Sequence, residues 1–222
     1  MNTGKCVDDV KILDTDKKDG KTMEKRRQEV LDELLGMLER LAYVKPEEIP
    51  SIDLYMDQVL SFINDRTRYL TRNPEEDKIF TKTMINNYAK TKILPAPVKK
   101  KYSKDHILLL LFIYYFKGVL SVGDTGELLG KITDKYFGNS GEIAFEDIYQ
   151  EVFKLEAGEI EFLKKDIAEK FQIAEGTFEN APEESKEFFK TFAFICLLSY
   201  DVFMKKLMIE KLVDECCKER EE

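Results

Sequence analysis

Apolar residues recur along most of the chain at the three- and four-residue spacing of amphipathic α-helices. The first apolar stripe, between residues 24 and 42, contains Val30, Leu31, Leu34, Leu35, Leu38 and Leu41. A second helix is expected from 53 to 64, with Asp53 as its N-cap, because Met56, Val59, Leu60 and Ile63 repeat the spacing. No segment shows sustained strand alternation. The pattern therefore predicts a mostly α fold.

The same spacing continues to the end of the chain and predicts six further helices. Thr81 is expected to cap a short helix ending near 91, and Ser103 a helix ending near 117. The second of these is apolar nearly all round, which is typical of a buried central helix. The remaining helices are expected at 122–131, 143–155, 159–171 and 185–217, with a loop at 176–182. Pro95 and Pro97 leave room for one small hairpin within 93–102.

Charge is distributed unevenly along the chain. The 222 residues carry a net charge of −8, yet residues 66–104 hold eleven Lys and Arg against three Asp and Glu, a local charge of +8. The remainder must carry −16. A basic block inside an acidic protein is the electrostatic footprint of a nucleic-acid binder. A solvated, lysine-rich surface explains the charge alone equally well.

Composition argues against metal-dependent and enzymatic functions. The single histidine, His106, excludes multi-histidine metal centres. Four cysteines occur without CxxC spacing, so we expect free thiols and no zinc knuckle: Cys6, Cys196, Cys216 and Cys217. No phosphate-binding glycine loop, GxSxG or kinase signature is present. We therefore predict that the protein is not an enzyme and requires no cofactor or metal.

Hydropathy gives no indication of a membrane protein. The longest apolar run, Ile107–Phe116, has ten residues, whereas a bilayer-spanning helix needs about 20. The N-terminal residues are too polar for a signal peptide. We predict a cytoplasmic protein that does not associate with membranes.

The short helix near 81–91 has an unusual outer face. On a helical wheel, Thr81, Met84, Ile85 and Tyr88 cluster on one side. The other side carries two cations, two amides, a hydroxyl and no acid: Lys82, Thr83, Asn86, Asn87 and Lys90. Asn can bond adenine bidentately, and Lys can contact guanine or phosphate. This face is typical of a helix that lies in the major groove of DNA, although a surface helix lacking acids by chance remains an alternative.

A second cationic element follows the prolines. Lys99, Lys100, Lys101 and Tyr102 place three cations and an aromatic ring at the expected hairpin. Such a tip suits contacts with phosphates beside the groove, although a lysine run alone is more often a solvated turn. Upstream, Arg66, Arg68 and Arg72 could add contacts with the DNA backbone.

Residues 81–129 together resemble the DNA-binding domain of MerR-type transcriptional regulators. That family has a helix, a Leu-Leu-x-Pro turn, a basic wing ending in Tyr and two further helices. The matching positions are Ile85, Tyr88, Ile93, Leu94, Pro95, Lys101, Tyr102, Ser103, Asp105, Leu120, Val122, Leu128 and Leu129. Lys92 and Asn86 depart from the pattern, since they stand where MerR proteins have glycine and arginine. The chain more closely resembles a bacterial domain-of-unknown-function family, number eighteen thirty-six, thought to carry such a winged helix.

The resemblance implies a domain layout and a function. A disordered tail (1–22) and a leading helix (23–48) would precede a winged helix-turn-helix domain (49–133) with a small hairpin wing. An all-helical domain (134–222) would dimerise and respond to a small-molecule or protein effector of unknown identity. We thus expect a homodimeric regulator of transcription, most simply a repressor, that binds double-stranded DNA. The alternative is a helical protein–protein interaction module whose degenerate winged helix no longer binds DNA.

Overall fold

The mostly α fold is confirmed by a computed structural model, which describes residues 19–39, 44–68, 71–73, 76–139 and 141–217. Seven α-helices and two short strands lie in these ranges. They are α1 (Asp19–Glu39), β1 (Leu54–Tyr55), α2 (Met56–Thr67), α3 (Lys82–Lys90), β2 (Lys101–Tyr102), α4 (Lys104–Phe116), α5 (Val122–Tyr136), α6 (Phe145–Glu175) and α7 (Glu183–Cys217), with a single 3-10 turn at Pro46–Glu48. Of the predicted disordered tail, residues 1–18 lie outside the described residues, and 19–22 belong to α1.

Helix α4 is the centre of the first hydrophobic core. Every residue from Ile107 to Ile113 is at most 4% exposed, so this helix is covered on all sides, as its sequence predicts. The surrounding core draws on α2, α3, α5 and the first turns of α6, with Val59, Ile63, Ile85 and Leu129 all buried. The outer surfaces of these covering helices are therefore left to face solvent.

Helix α6 joins the first core to a second one. Its first turns bury Phe145, Tyr149 and Phe153 against α4, and its last turns bury Phe171 and Ala174 in the second core. The prediction of two helices, 143–155 and 159–171, is wrong, because Gly158 is accommodated within one helix at a cost of about 1 kcal/mol. The first core also extends beyond residue 133, the predicted domain boundary.

The second core fixes α1 to the α6–α7 pair. Leu31 of α1 packs with Phe171 and with Phe194 of α7. Arg27, whose side chain is only 12% exposed, pairs with Glu175 and with Glu187, in the latter case at 3.2 Å. Because these carboxylates lie on α6 and α7, the guanidinium connects all three helices.

The two strands form a small antiparallel sheet between distant parts of the chain. Leu54 pairs with Tyr102 and Tyr55 with Lys101. This pairing holds the backbone extended as far as Tyr55, so α2 begins only at Met56 and the predicted N-cap at Asp53 is wrong. The cap position is taken by Tyr55, whose N–H donates to Gln58 Oε1 at 2.9 Å.

We expect Tyr149→Phe to lower the free energy of unfolding by about 1–2 kcal/mol. The Tyr149 hydroxyl donates a hydrogen bond to the Val44 carbonyl at 2.9 Å, and its loss leaves that buried acceptor without this donor. Urea unfolding followed by circular dichroism measures the change. Tyr200→Phe is the control, because Tyr200 is 63% exposed. Equal stability of the two variants would contradict the role of this hydrogen bond.

A second prediction concerns pH and the buried His106. Its ring lies edge-on to Tyr102 and Phe137, with centroid distances of 5.3 and 4.8 Å, and its Nδ1 accepts the Ser103 N–H at 3.0 Å. Burial lowers the pKa of His106. The unfolded chain therefore takes up the proton first, and stability that is complete above about pH 6.5 is lost as the pH falls towards the lowered pKa.

The test is urea unfolding at pH 7.5 and pH 5.5 with the wild-type chain and His106→Asn. Because the chain has one histidine, the wild type should lose more stability between these pH values than the variant. A pH dependence that persists unchanged in His106→Asn would assign the effect to other groups.

Candidate nucleic-acid interface

The start of α3 is fixed by two side chains. Asn64 of α2 accepts the Phe80 N–H at 3.1 Å and donates to the Phe80 carbonyl at 3.2 Å. The next residue, Thr81, caps α3 through a 3.3 Å bond from the Met84 N–H to its hydroxyl. Thr81 is the predicted N-cap, whereas the Asn64 clamp was not predicted. Together they set the position of α3 relative to α2.

The predicted division of α3 into two faces is confirmed. Ile85 is completely buried, and Met84 and Tyr88 are half-buried against the first core. Tyr88 lies edge-on to Phe80 at 6.3 Å, and burial raises the pKa of its phenol. The outer face is exposed and consists of Lys82, Thr83, Asn86, Asn87 and Lys90. These five side chains are free of any packing role in the core.

Helix α3 ends in a Schellman motif with lysine at the position that normally holds glycine. The Ile93 N–H donates to the Tyr88 carbonyl at 3.0 Å, and the Lys92 N–H donates to the Ala89 carbonyl at 3.3 Å. Lys92 adopts the left-handed conformation with φ of 61°. Here the chain has lysine where MerR proteins have glycine, and Lys92 is not among the predicted contacts. Its ammonium extends the basic surface of α3.

The predicted hairpin is a tight turn at Val98–Lys101. The Lys101 N–H donates to the Val98 carbonyl at 2.9 Å, and Lys99 and Lys100 have φ of 51° and 65°. Two positive φ values define a type I′ turn, for which Asn-Gly is the preferred sequence. Both lysines are exposed. The turn therefore holds two ammonium groups in a conformation that lysine disfavours.

Two predicted wing residues have structural roles. Tyr102 is 4% exposed and packs on His106, so its ring belongs to the core and not to the predicted contact surface. Burial accordingly raises its pKa. Lys101 is half-buried, and its ammonium lies over the Tyr55 ring at 5.4 Å. The exposed cations of the turn are thus Lys99 and Lys100.

Acidic neighbours occupy some of the other predicted cations. Lys82 pairs with Asp57 of α2 at 2.7 Å, and Arg66 pairs with Glu48. These pairs are substantially exposed, and such pairs contribute about 0–1 kcal/mol each, so a phosphate can replace the carboxylate. Arg68 and Arg72 are exposed. Within the described ranges, the exposed lysines that form no ion pair include Lys90, Lys92, Lys99 and Lys100.

A shallow groove of about 160 Å³ adjoins the outer face of α3. Its lining comes from α3, from the residue that caps its C-terminal end and from the start of α5: Met84, Asn87, Tyr88, Thr91 and Val122. Val122 is 56% exposed. It is not a predicted site residue, because its position in the sequence indicates only the start of a helix. The candidate surface therefore combines amides and lysines with one apolar edge.

The cysteine pair at the end of α7 consists of free thiols. The Sγ atoms of Cys216 and Cys217 are 3.4 Å apart, and Cys196 is also a free thiol. Desolvation, with a contribution from Cys216, raises the pKa of Cys217 to about 11. Cys217 is therefore a protonated, weakly nucleophilic thiol at neutral pH.

A family model matches the segment of the chain that carries this surface. Residues 44–152 match the family model of a domain of unknown function, DUF1836. The matched segment contains α3, the lysine turn and all of the buried first core except Phe153. The match supports the resemblance to this unknown-function family. No curated protein and no solved structure matches the chain.

Two further features of the described residues bear on the type of site. They contain no group of three or more His, Cys, Asp and Glu side chains placed to hold a metal ion. None of the helices that the structure describes is long and apolar enough to cross a membrane.

We expect the double variant Lys99→Asn/Lys100→Gly to be more stable than the wild type by about 1–2 kcal/mol, because Asn-Gly relieves the left-handed strain of the turn. Urea unfolding measures the gain. Lys99→Ala/Lys100→Ala is the matched control, since it removes the same charges and keeps the strain. A gain of equal size in the Ala variant would trace the effect to charge repulsion instead.

Proposed function

We propose that the protein is a sequence-specific regulator of transcription that binds double-stranded DNA. The outer face of α3 enters the major groove, and the Val98–Lys101 turn contacts phosphates beside it. This arrangement is that of a MerR-like winged helix, and repression is its simplest mode of action. The proposal rests on the exposed surface of α3 and on the lysines that flank it.

The observation that carries the proposal is that three lysines have the left-handed backbone conformation. Lys92, Lys99 and Lys100 lie within the ten residues that follow α3, and each has a positive φ. The left-handed conformation costs a non-glycine residue about 1–2 kcal/mol, which glycine would avoid. Backbone strain of this kind is concentrated at functional sites. An ammonium group at each position is explained by the need to neutralise phosphates.

The outer face of α3 supplies the groups that read sequence. Asn86 and Asn87 are exposed amides that can each bond an adenine edge. Lys82 and Lys90 contact guanine or phosphate from the same face. Arg68 and Arg72 add backbone contacts. This division follows the general rule that phosphate contacts position a protein and base contacts specify the sequence.

The helices after the first core complete the proposed regulator. We assign dimerisation and the response to an effector to the region 134–222, which consists mainly of α6 and α7. Two recognition helices that read half-sites about 34 Å apart require a two-fold protein, so a homodimer is the expected form. The lack of an enzymatic function, the lack of a cofactor and the cytoplasmic location stay predictions.

A helical protein–protein interaction module is the second candidate. The observation in its favour is the apolar surface of α7, where Phe188, Val202 and Leu212 are each at least 66% exposed. In this case the basic surface is only solvated, and the partner binds to α7. DNA binding distinguishes the two candidates.

Fluorescence anisotropy with a duplex from the upstream region of the gene and a scrambled duplex tests the proposal. We expect Asn86→Ala to lose about 1–3 kcal/mol of affinity for the specific duplex and little for the scrambled one. Lys100→Ala should weaken both alike and reduce the slope of log K against log salt by about 1.

Lys165→Ala is the control, since Lys165 is an exposed lysine of α6 outside the candidate surface. It should leave both affinities unchanged. Failure of the wild type to bind either duplex at low salt would exclude the regulator and favour the interaction module. Equal losses on both duplexes for Asn86→Ala would exclude sequence reading by that residue.

A further inference from the structure

Helix α7 carries an apolar stripe on the side facing away from the second core. Its members follow the spacing i, i+4, i+7 and i+14: Phe188, Phe192, Ile195 and Val202, with the exposed Ser199 at i+11. Each of the four apolar side chains is more than half exposed. The stripe is about 21 Å long, and Phe203 extends it on one flank. These residues are referred to below as the α7 stripe.

The part of α7 that bears this stripe is nearly free of charge. Between Thr191 and Met204 the one charged residue is Asp201, and its carboxylate pairs with Lys170 of α6 at 2.7 Å. The chain as a whole has 35% charged residues. A helix that is apolar on its exposed side as well as its packed side is typical of a buried helix. The exposed side of this helix thus has the composition of an interface.

We propose that the α7 stripe is the interface of a homodimer in which two α7 helices pack antiparallel around a two-fold axis at Ile195. The proposal concerns a surface distant in sequence from α3 and does not depend on DNA binding. Its partner is a second copy of this chain because the stripe is complementary to its own reversed sequence.

The complementarity concerns both size and charge. Reversal of the stripe about Ile195 sets Phe192 of one copy next to the small Ser199 of the other, and Phe188 against Val202. Outside the stripe, Glu184 precedes its first residue by one turn, and Lys206 follows its last by one turn. Both are exposed. In the antiparallel pair, Glu184 of each copy approaches Lys206 of the other, whereas a parallel pair would set like charges side by side.

The exposed area is sufficient for a specific dimer. Five stripe residues, each more than half exposed, offer about 100 Å² apiece. Two copies together therefore bury roughly 1,000 Å² of apolar surface, and flanking residues such as Cys196 bring the total towards the 1,200–2,000 Å² of stable interfaces. Removal of this apolar area from water favours association.

Sedimentation velocity of the full chain without DNA, at micromolar concentration, is the first test. We expect the wild type to be a dimer and Ile195→Glu to be a monomer with unchanged helical circular dichroism. Met208→Glu is the matched control, because Met208 is 63% exposed on another side of α7; it should remain a dimer. A monomeric wild type, or an Ile195→Glu variant that stays dimeric, would overturn the proposal.

A charge exchange tests the antiparallel geometry. We expect Glu184→Lys and Lys206→Glu to weaken the dimer several-fold each, since each sets like charges together across the interface. The double variant Glu184→Lys/Lys206→Glu should regain the wild-type dissociation constant. Failure of the double variant to recover would contradict the antiparallel pairing, even where the stripe itself is required.

Thiol cross-linking gives a positive signal for the same geometry. Cys196 is exposed beside the centre of the stripe, so the two copies bring their Cys196 thiols together. In a variant with Cys6, Cys216 and Cys217 replaced by Ser, a short bismaleimide should give a covalent dimer. A variant with Cys216 as its single cysteine should not. Equal cross-linking of the two variants would indicate random collision and overturn the assignment.

Discussion

The burial of α4 is the constraint on which the rest of the first core depends. A helix that is apolar on every side must be enclosed, and Ile107–Ile113 are enclosed almost completely. Enclosure requires elements from distant parts of the chain, so α2, α3 and α6 each give one apolar face to the same core. The outer face of α3 takes no part in this core, so packing does not constrain which side chains it carries.

The segment after α3 combines strained backbone conformations with close packing. Ile93 and Leu94 are buried and anchor the chain directly after the left-handed Lys92. Tyr102 anchors it again directly after the lysine turn. The strained lysines are thus held between well-packed residues, which is the condition under which a structure can retain unfavourable backbone conformations. The favourable packing of the buried residues offsets the backbone strain at the three left-handed lysines.

Much of this could be predicted from the sequence, and the failures have identifiable causes. Local signals were reliable: Thr81 as a cap, the two faces of α3, the burial of α4 and the loop at 176–182. Contacts between distant parts of the chain could not be inferred from the sequence. The pairing of Leu54 with Tyr102 displaced the cap from Asp53 and buried a tyrosine predicted to lie on the wing. The ion pair of Lys82 with Asp57 likewise depends on the approach of α2 to α3. The spacing predicts two helices where α6 is one, and packing at both ends of α6 offsets the small intrinsic cost of Gly158.

Helix α6 is one continuous helix that joins the first core to the second. With 31 residues it is about 46 Å long, and Tyr149 and Phe171 fix its two ends in different cores. The DUF1836 match ends at residue 152, inside this helix and before its second core. A flexible linker would let α3 and the α7 stripe move independently. A continuous helix instead fixes their separation, so the proposed pairing of two chains through α7 would also determine how far apart the two α3 surfaces lie.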